Sequence, residues 1–466
     1  MSEKDVKKAE KTKEKFLKKY GDDSKADYRF ALKDNPVLSA LGTKELVSGE
    51  GAVFSDKTVF VGNIRMGFGH YRISMAMASC ARALGYEPVW VDLNSFQDST
   101  CTKIISGQNN LYSMGSRLSQ KSRLFNKLYW EPLNSEGFRK LSYNCADQAS
   151  AELMANLLKN LPKDLPYVAT HVWPAQAAIH AGFTRVVNAI PDNWPMALHL
   201  AQGAAHTIQT YSAWLGYKAL RGMDKSRSLK PMPEGDIVYT GHYVDHELVA
   251  DLEDDTARRV DRLQNGKAKR YLLTVGGAGA QQALFASIIQ ALLPEIKVGK
   301  AVLFINVGDH KNVWEGLKKA VPALGSAQVF LNDYNRARAY AEDARTGEVK
   351  GIVGFCHEDI FAAVYITNLL MRASDVLVTK PSELAFYPIP KLFIQHVGGH
   401  EVWGAIHSAE VGDGSYEAAP GRETTDMIRL LQREPEILLK MNDCILKNKA
   451  AGLYNGAYEA VRLAAK

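Results

Sequence analysis

The first residues in the sequence that could take part in chemistry are several glycines and a histidine. They lie between an apolar run and a helix-like stretch. The segment TVFVGNIRMGFGHYRIS begins at Thr58 and contains Gly62, Gly67, Gly69 and His70. Glycines allow a ligand to approach the backbone closely, and a helix N-terminus disfavours the cationic form of an imidazole. His70 is therefore a candidate general base, or otherwise a packed or capping histidine.

This first glycine turn could also belong to a dinucleotide site, whose fingerprint is GxGxxG between a strand and a helix. Here Gly62 is followed only by Gly67 and Gly69, so the fingerprint is broken. Asp92, at the end of the next predicted strand, could imitate the ribose-binding acid of such sites. Hydride transfer is the less favoured interpretation.

A second glycine turn, TVGGAGAQQ, contains Gly276, Gly277 and Gly279 and lies between the predicted strand YLLTV and the predicted helix QQALFASIIQALL. Its backbone amides and the dipole of the following helix are suited to bind a phosphate. Because each glycine turn opens one half of the chain, the pair suggests one half that binds a donor and one that binds an acceptor.

The elements that must position these turns alternate between short apolar strands and helices, which is typical of parallel sheets covered on both faces. With 466 residues, two domains are expected. We predict a charged leader at 1–50, a first Rossmann-like domain at 51–244, a second at 245–440 and a C-terminal helix at 441–466 that crosses back to the first domain. Ligands in such sheets bind beyond the carboxyl ends of the strands.

Composition and charge restrict the class of protein. The chain is 46% hydrophobic and 23% charged, and its five cysteines form no CxxC pair, which argues against a disulfide framework or a structural zinc site. We see no spacing that demands a metal ion and expect no cofactor. The start of the chain lacks the apolar core of a signal peptide, and the longest apolar run is too short to span a bilayer. A cytoplasmic protein is expected.

Two basic segments suggest contact with an anionic membrane surface. Residues 1–19 contain eight lysines and four acids, and form either a solvated helix or an electrostatic contact. The segment Leu111–Trp130 mixes basic residues with apolar ones, which suits an interfacial helix on the inner face of a membrane or a helix packed on its own domain. Its candidate contact residues are Arg117, Lys121, Arg123, Phe125, Lys127 and Trp130. Because no nucleic-acid module accompanies them, we expect no nucleic-acid partner.

With these stretches identified, the chain resembles the GT-B glycosyltransferases, in the branch of the monogalactosyldiacylglycerol synthases, the processive diacylglycerol glucosyltransferases and the peptidoglycan N-acetylglucosaminyltransferase. The resemblance runs in order from about Thr58 to Gly414. Its segments are MGFGHYRIS, VDLNSF, IPDNWPMALHL, VYTGHYVDHEL, TVGGAGAQQ, INVGDHKNVWEGL, the stretch from GFCHED to KPSELAFY, and VGGHEVWGA. It implies an α/β GT-B fold of two doubly wound Rossmann-like domains facing a central cleft.

The resemblance also implies a reaction and roles for residues. An acceptor hydroxyl, favoured as that of a diacylglycerol-like lipid, would attack the anomeric carbon of a UDP-sugar with inversion. His70 is the first candidate base and Asp192 the second, although Asp192 could simply cap a turn. The donor would contact Gly276, Gly277, Gly279, Phe355, Ser382, Glu383, His400 and Glu401, while Gly67 and Gly69 belong to the acceptor half. Phe355 would flank the base, or lie in the core.

Two departures from the family pattern fall in the donor half. Ser382 and Glu383 follow Pro381 directly, without the usual glycines, and the family's GQExxN turn reads GHEVWG. His400 thus replaces Gln, and Gly404 stands where Asn is expected. Two further interpretations therefore stay open: a nucleotide-sugar epimerase of the same fold, and a non-catalytic protein that binds a nucleotide sugar or a lipid.

Overall fold

The computed structural model describes residues 3–276, 279 and 281–466. Within that range, the side chains of six residues between 116 and 135 are outside the description: Ser116, Arg117, Gln120, Lys121, Arg123 and Ser135. The described chain forms two α/β halves, each built on one sheet.

The first sheet has eight strands in the order β1-β2-β4-β3-β5-β6-β7-β8. The pair β1 and β2 is antiparallel, and the remaining neighbours are parallel. The strand bounds are β1 Phe30–Asp34, β2 Lys44–Ser48, β3 Thr58–Asn63, β4 Glu87–Asp92, β5 Tyr167–Ala169, β6 Val186–Ala189, β7 Ala205–Ile208 and β8 Ile237–Tyr239. Strand β3 is buried throughout, as expected for a strand covered on both faces.

Strands β1 and β2 lie within the segment 1–50, where only a charged leader is predicted from sequence. Both strands are at the edge of the sheet and carry charged residues in the sequences FALKD and KELVS. Only Phe30 and Leu46 are buried, and Phe30 packs edge-on against Phe96. An edge strand buries few of its side chains, so a charged sequence can form one without the apolar pattern that predicts a strand.

The second sheet has seven parallel strands in the order β11-β12-β10-β9-β13-β14-β15. Their bounds are β9 Lys269–Thr274, β10 Ala301–Asn306, β11 Gln328–Leu331, β12 Ile352–Cys356, β13 Val376–Thr379, β14 Lys391–Phe393 and β15 Gly414–Glu417. In both sheets the chain order reverses next to the strand that precedes a glycine turn, between β3 and β5 and between β9 and β13. Such switch points are where open parallel sheets bind ligands.

Helices cover the faces of both sheets. They are α1 Glu3–Tyr20, α2 Pro36–Ala40, α3 Phe68–Ala83, α4 Thr100–Lys121, α5 Arg123–Phe125, α6 Leu141–Ala151, α7 Val172–His180, α8 Tyr211–Lys218, α9 His246–Ala250, α10 Leu252–Gln264, α11 Gln282–Lys297, α12 Lys311–Ala320, α13 Tyr334–Asp343, α14 Ile360–Ala373, α15 Val402–Glu410, α16 Arg422–Arg433, α17 Pro435–Ala450 and α18 Gly456–Ala465. Short π-helical turns cover Asn126–Trp130 and Leu133–Gly137, and 3₁₀ turns cover Glu152–Leu158, Ala197–His199, Pro322–Ser326, Glu383–Phe386 and Gly399–Glu401. None of the helices in the described part of the chain is both long and apolar enough to cross a membrane.

Two doubly wound Rossmann-like domains that face a shared cavity form the GT-B arrangement, so the predicted fold class is confirmed. The last helix, α18, packs on α3 and β6 of the first domain, whereas α17 packs on α10 in the second. Ala457, Ala460, Val461 and Ala464 of α18 share a core cluster with apolar residues of α3. Helix α18 therefore packs on the first domain although it follows the second domain along the chain.

This return of the chain predicts a stability effect. Val461 is completely buried, so Val461→Asp places an unpaired carboxylate in an apolar cluster. We expect this substitution to lower the free energy of unfolding by about 3 kcal/mol or more. Urea denaturation followed by circular dichroism measures the change. The control is Arg462→Ala on the exposed side of the same helix, which should cost less than about 1 kcal/mol; equal losses in the two variants would contradict the packing of α18.

Candidate active site between the two domains

A cavity of about 620 Å³ lies between the domains and is lined by residues that follow the carboxyl ends of strands. In the first domain these are the segments after β3, β4, β5 and β6. In the second domain they are the segments after β9, β10, β12, β13 and β14. Ten of the residues proposed from sequence line this cavity: Gly67, Gly69, His70, Trp130, Asp192, Gly276, Ser382, Glu383, His400 and Glu401.

His70 lies in the first turn of α3, which begins after Gly67. The backbone of Gly67 has a φ of 83°, a conformation that favours glycine. The ring Nδ1 of His70 is 2.8 Å from the carbonyl oxygen of Thr170. Because this oxygen can only accept a hydrogen bond, Nδ1 carries the proton and donates the hydrogen bond. Nε2 is then the basic nitrogen. Burial lowers the pKa of His70 below its ordinary value of 6.5, and the ring is neutral at pH 7.

Asp192 follows β6 and faces several histidines. Its Oδ2 is 3.2 Å from Nε2 of His199, and its Oδ1 is 4.0 Å from Nε2 of His400. The phenolic group of Tyr217 lies 2.7 Å from Nδ1 of His199, which orients this ring. Burial on its own would raise the pKa of Asp192, but the hydrogen bond from His199 and the nearby His400 ring hold it below its usual value. Asp192 is therefore an ionised carboxylate in the cavity.

Sequence reasoning gave no role to three histidines that line the cavity, His171, His199 and His310. His199 is set in a 3₁₀ turn, and the ring of His171 lies 4.9 Å from the ring of His70 at nearly a right angle. His199 lies in the segment IPDNWPMALHL but was given no role there, and His171 belongs to none of the segments that carry the resemblance. The position of His171 two residues after β5 was a usable signal, because residues just after a parallel strand face the ligand edge of a sheet.

The glycine turn after β9 contacts a lysine that was also missed. A Cβ atom at Gly276 would lie 2.9 Å from Cε of Lys380, so the glycine leaves room for this side chain. Lys380 forms an ion pair with Glu401. Burial opposes both charges, but their mutual attraction raises the pKa of Lys380 and lowers that of Glu401. Gly277 lies outside the described residues, and Gly279 packs against His310, which lines the cavity.

Glu383 is held by an arginine of the opposite domain. Nε of Arg72, on α3, is 3.4 Å from Oε1 of Glu383. Arg72 also donates to the carbonyl of Val364, at 3.3 Å, and to the side chain of Asn368, and only 3% of its side chain is exposed. Glu383 thus joins the two domains as well as lining the cavity.

The turn at 398–404 explains one departure from the family pattern. A Cβ at Gly404 would lie 2.9 Å from the carbonyl oxygen of Pro381 and 3.1 Å from Cβ of Ala385. The compressed sequence after β13 places this backbone directly against the turn, so a larger residue has no room at 404. The two departures, the missing glycines after Lys380 and the missing Asn, are therefore one structural feature.

Phe355 and part of the segment Leu111–Trp130, both predicted to contact a ligand or a membrane, do not line the cavity. Phe355 was expected to flank a base or lie in the core; its ring is fully buried in β12 and stacks on Phe330 at 5.3 Å, so it does not reach the cavity. The segment Leu111–Trp130 is not one helix, because α4 ends at Lys121 and short α and π turns follow. Trp130 lines the cavity, whereas Phe125 and Lys127 do not. The side chains of Arg117, Lys121 and Arg123 lie outside the described residues.

This segment also exposes several large apolar side chains. Large apolar side chains are exposed at Leu111, Met114, Leu118, Leu124, Leu128 and Tyr129. Tyr112 and Trp130, from the same segment, line the cavity. Within the described residues, no group of three or more His, Cys, Asp or Glu side chains is arranged to hold a metal ion.

The comparisons place the chain in a family. Residues 232–465 match the family model described as Domain of unknown function (DUF6938), and the chain belongs to this family. Residues 1–219 match a second model, Domain of unknown function (DUF6937). The two models divide the chain between 219 and 232, slightly before the boundary predicted from sequence at 244. No curated protein matches the chain.

Solved structures resemble the chain at low sequence identity. They include the UDP-GlcNAc 2-epimerase from Neisseria meningitidis bound to UDP-GlcNAc, with 11% identity, a TM-score of 0.45 and coverage of 87% of this chain and 97% of that one. S. aureus MnaA with UDP has 11% identity, a TM-score of 0.45 and coverage of 87% and 94%. A glycosyltransferase from Rickettsia africae has 12% identity, a TM-score of 0.40 and coverage of 87% and 95%. At this identity the likeness concerns the overall fold.

The crowded turn predicts that the family residue cannot be restored at position 404. We expect Gly404→Asn to lower the free energy of unfolding by about 1–3 kcal/mol, because the added atoms meet backbone that cannot move aside. Thermal and urea denaturation measure the effect. The control is Gly325→Asn, since a Cβ at Gly325 meets nothing within 4 Å. A Gly404→Asn variant as stable as the control would show that the turn is not crowded.

Proposed function

We propose that the protein is an inverting glycosyltransferase that moves a hexose from a UDP-sugar to the hydroxyl of a lipid, such as a diacylglycerol-like acceptor. The observation that carries this proposal is the composition of one cavity. A neutral histidine, His70, lines it from the first domain, while Gly276 and Lys380 line it from the second. This transfer needs a base for the acceptor hydroxyl and a positively charged or amide group that stabilises the departing diphosphate.

In the proposed step, the acceptor hydroxyl loses its proton to Nε2 of His70 as its oxygen bonds to the anomeric carbon. The bond from this carbon to the diphosphate breaks, and its electron pair stays on the phosphate oxygen. Backbone amides at Gly276, the N-terminus of α11 and the Lys380 ammonium would stabilise the departing charge. Because this is a single displacement, the configuration at the anomeric carbon inverts.

A lipid acceptor is favoured by the segment that joins the cavity to the surface. Tyr112 and Trp130 line the cavity, and Leu124, Leu128 and Tyr129 nearby along the chain are more than half exposed. Exposed apolar side chains beside a cationic residue such as Lys127 are suited to the interface of an anionic bilayer. The proposed location is therefore cytoplasmic and peripheral, on the inner face of a membrane.

The reaction predicts a specific loss in a His70 variant. His70→Ala should lower kcat for UDP release from a UDP-sugar by about 100-fold or more, because general base catalysis contributes on this order. An assay of released UDP over a panel of UDP-sugars, with and without lipid vesicles, measures it. His180→Ala, at a histidine outside the cavity, is the control and should keep full activity. Full activity of the His70 variant would remove His70 from the mechanism.

The depressed pKa of His70 gives this assay a predicted pH dependence. The base works in its neutral form, so kcat/KM should be flat from pH 8 to about 6.5 and fall only at lower pH, where the ring becomes protonated. A fall that begins well above pH 7 would require a different base.

A second candidate function is supported by the number of ionisable groups in the cavity. Five histidines, His70, His171, His199, His310 and His400, and three carboxylates, Asp192, Glu383 and Glu401, line it. A nucleotide-sugar epimerase uses such acids and bases to remove and return protons on the sugar. Incubation of UDP-sugars without acceptor, followed by proton NMR, distinguishes the two: an epimerase yields an isomerised UDP-sugar, whereas a transferase yields UDP only with acceptor. Binding without either reaction would indicate a non-catalytic protein.

The membrane interface is tested independently. Leu124→Asp with Leu128→Asp changes two side chains that are 69% and 68% exposed, so the fold should persist. We expect the wild type to float with vesicles containing anionic lipid at low salt and the double variant to lose most of this binding. Val53→Asp, at an apolar residue that is 81% exposed outside this segment, is the control. Equal flotation of all three proteins, or none by the wild type, would contradict the proposed interface.

A further inference from the structure

A second, smaller pocket of about 190 Å³ lies apart from the cavity between the glycine turns. Its lining comes from α2 of the first domain, from α9, from α13 and the residues just after it, and from α14. Ala363 and Thr367 of α14 line the larger cavity, whereas Tyr365, Leu369 and Arg372 of the same helix line the smaller pocket. Helix α14 therefore forms a wall of both, and none of the residues given a role in the proposed reaction lines the smaller pocket.

Three arginines line the smaller pocket, Arg338, Arg345 and Arg372, and two of them are held by aspartates. Asp255 accepts a hydrogen bond from Nε of Arg372 at 2.8 Å and another from a terminal nitrogen of Arg345 at 3.2 Å. Asp251 also pairs with both arginines. Neither aspartate belongs to the lining of the pocket, so these ion pairs fix two guanidinium groups from outside the lining.

The acids that do line the smaller pocket already have partners. Oε1 of Glu342 accepts a hydrogen bond from Nε of Arg338 at 2.8 Å, and Oε2 of Glu247 accepts one from the hydroxyl of Ser79 at 2.8 Å. Among the described residues, the two terminal nitrogens of Arg338 have no acceptor. Three guanidinium groups and two carboxylates thus line the pocket, which leaves positive charge in excess.

Tyr365 adds a hydroxyl group to this lining. Only 5% of the residue is exposed, and within the described part of the chain its hydroxyl has no hydrogen-bond partner. Burial, and after it the nearby Glu247, raises the pKa of Tyr365, so the hydroxyl keeps its proton at neutral pH and can donate. Nε of Arg345 is buried and also lacks a partner among the described residues. Because buried donors without an acceptor are costly, the pocket is suited to a ligand that supplies acceptor atoms.

We propose that the smaller pocket binds a small oxyanion, through a phosphate or carboxylate group that contacts its arginines and Tyr365. The oxygens of such a group accept charge-assisted hydrogen bonds from guanidinium nitrogens, and these are stronger than hydrogen bonds between neutral groups. The pocket has about six times the ~30 Å³ that one water occupies in the liquid, so it has room for an oxyanion with a short carbon chain. The site is independent of the reaction proposed for the larger cavity.

Thermal unfolding over a concentration series of inorganic phosphate, and separately of citrate, tests the site, with sodium chloride keeping the ionic strength constant. At least one of these anions should raise the melting temperature with increasing concentration. Arg338→Gln should weaken the binding of that anion about tenfold. Since 42% of the Arg338 side chain is exposed, the variant should fold. Tyr365→Phe, which removes only the hydroxyl, should weaken the binding about fivefold.

Two controls locate the effect. Arg336→Gln changes an arginine of the same helix that is 76% exposed and does not line the pocket, and it should keep the affinity of the unsubstituted protein. Lys380→Met removes the lysine of the larger cavity, where inorganic phosphate is also expected to bind. The rise in melting temperature should persist in this variant.

The proposal is overturned if neither anion stabilises the protein. It is also overturned if the stabilisation is the same in Arg338→Gln, Tyr365→Phe and the unsubstituted protein, or if it disappears in Lys380→Met while Arg338→Gln retains it, because the anion then binds in the larger cavity. Where the site is confirmed, the anion that binds more tightly identifies the group it recognises, a phosphate or a carboxylate.

Discussion

One buried charge joins the two domains beside the cavity. The side chain of Arg72 is almost completely buried and reaches from α3 into the second domain, where Glu383, Asn368 and a backbone carbonyl receive its hydrogen bonds. A guanidinium removed from water must keep such partners, because an unpaired buried charge costs several kcal/mol. Arg72 lies two residues after His70 on the same helical turn. This contact between the domains therefore also sets the proposed base against the loop that holds Lys380 and Glu383.

Much of the site follows from the position of its residues just after the ends of the strands. The alternation of apolar strands and helices predicts two parallel sheets, and in parallel sheets the residues after the strands share one edge. His70 and Gly276 were predicted from the two glycine turns, and Asp192, Glu383 and His400 from the family resemblance; all five line the same cavity. The structure adds the reason for the unusual GHEVWG turn, since the backbone at Pro381 occupies the space that a side chain at 404 would need.

What the sequence could not show depends on contacts between distant segments. Arg72 and Glu383 are 311 residues apart, and nothing near either residue indicates the partner. His199 becomes a site residue only because Tyr217 and Asp192 lie on either side of its ring. Strands β1 and β2 escaped prediction because an edge strand in a charged segment buries few side chains, and Phe355 follows a binding-site pattern but packs inside the sheet.

The central claim is that the second domain binds the diphosphate of a uridine nucleotide at Gly276 and Lys380. Thermal unfolding with UDP or NAD tests it most directly, because a ligand at a hundred times its dissociation constant stabilises a fold by about 2.7 kcal/mol. We predict that UDP raises the melting temperature, that NAD does not, and that Lys380→Met abolishes most of the UDP effect. A shift with NAD and none with UDP would contradict the account.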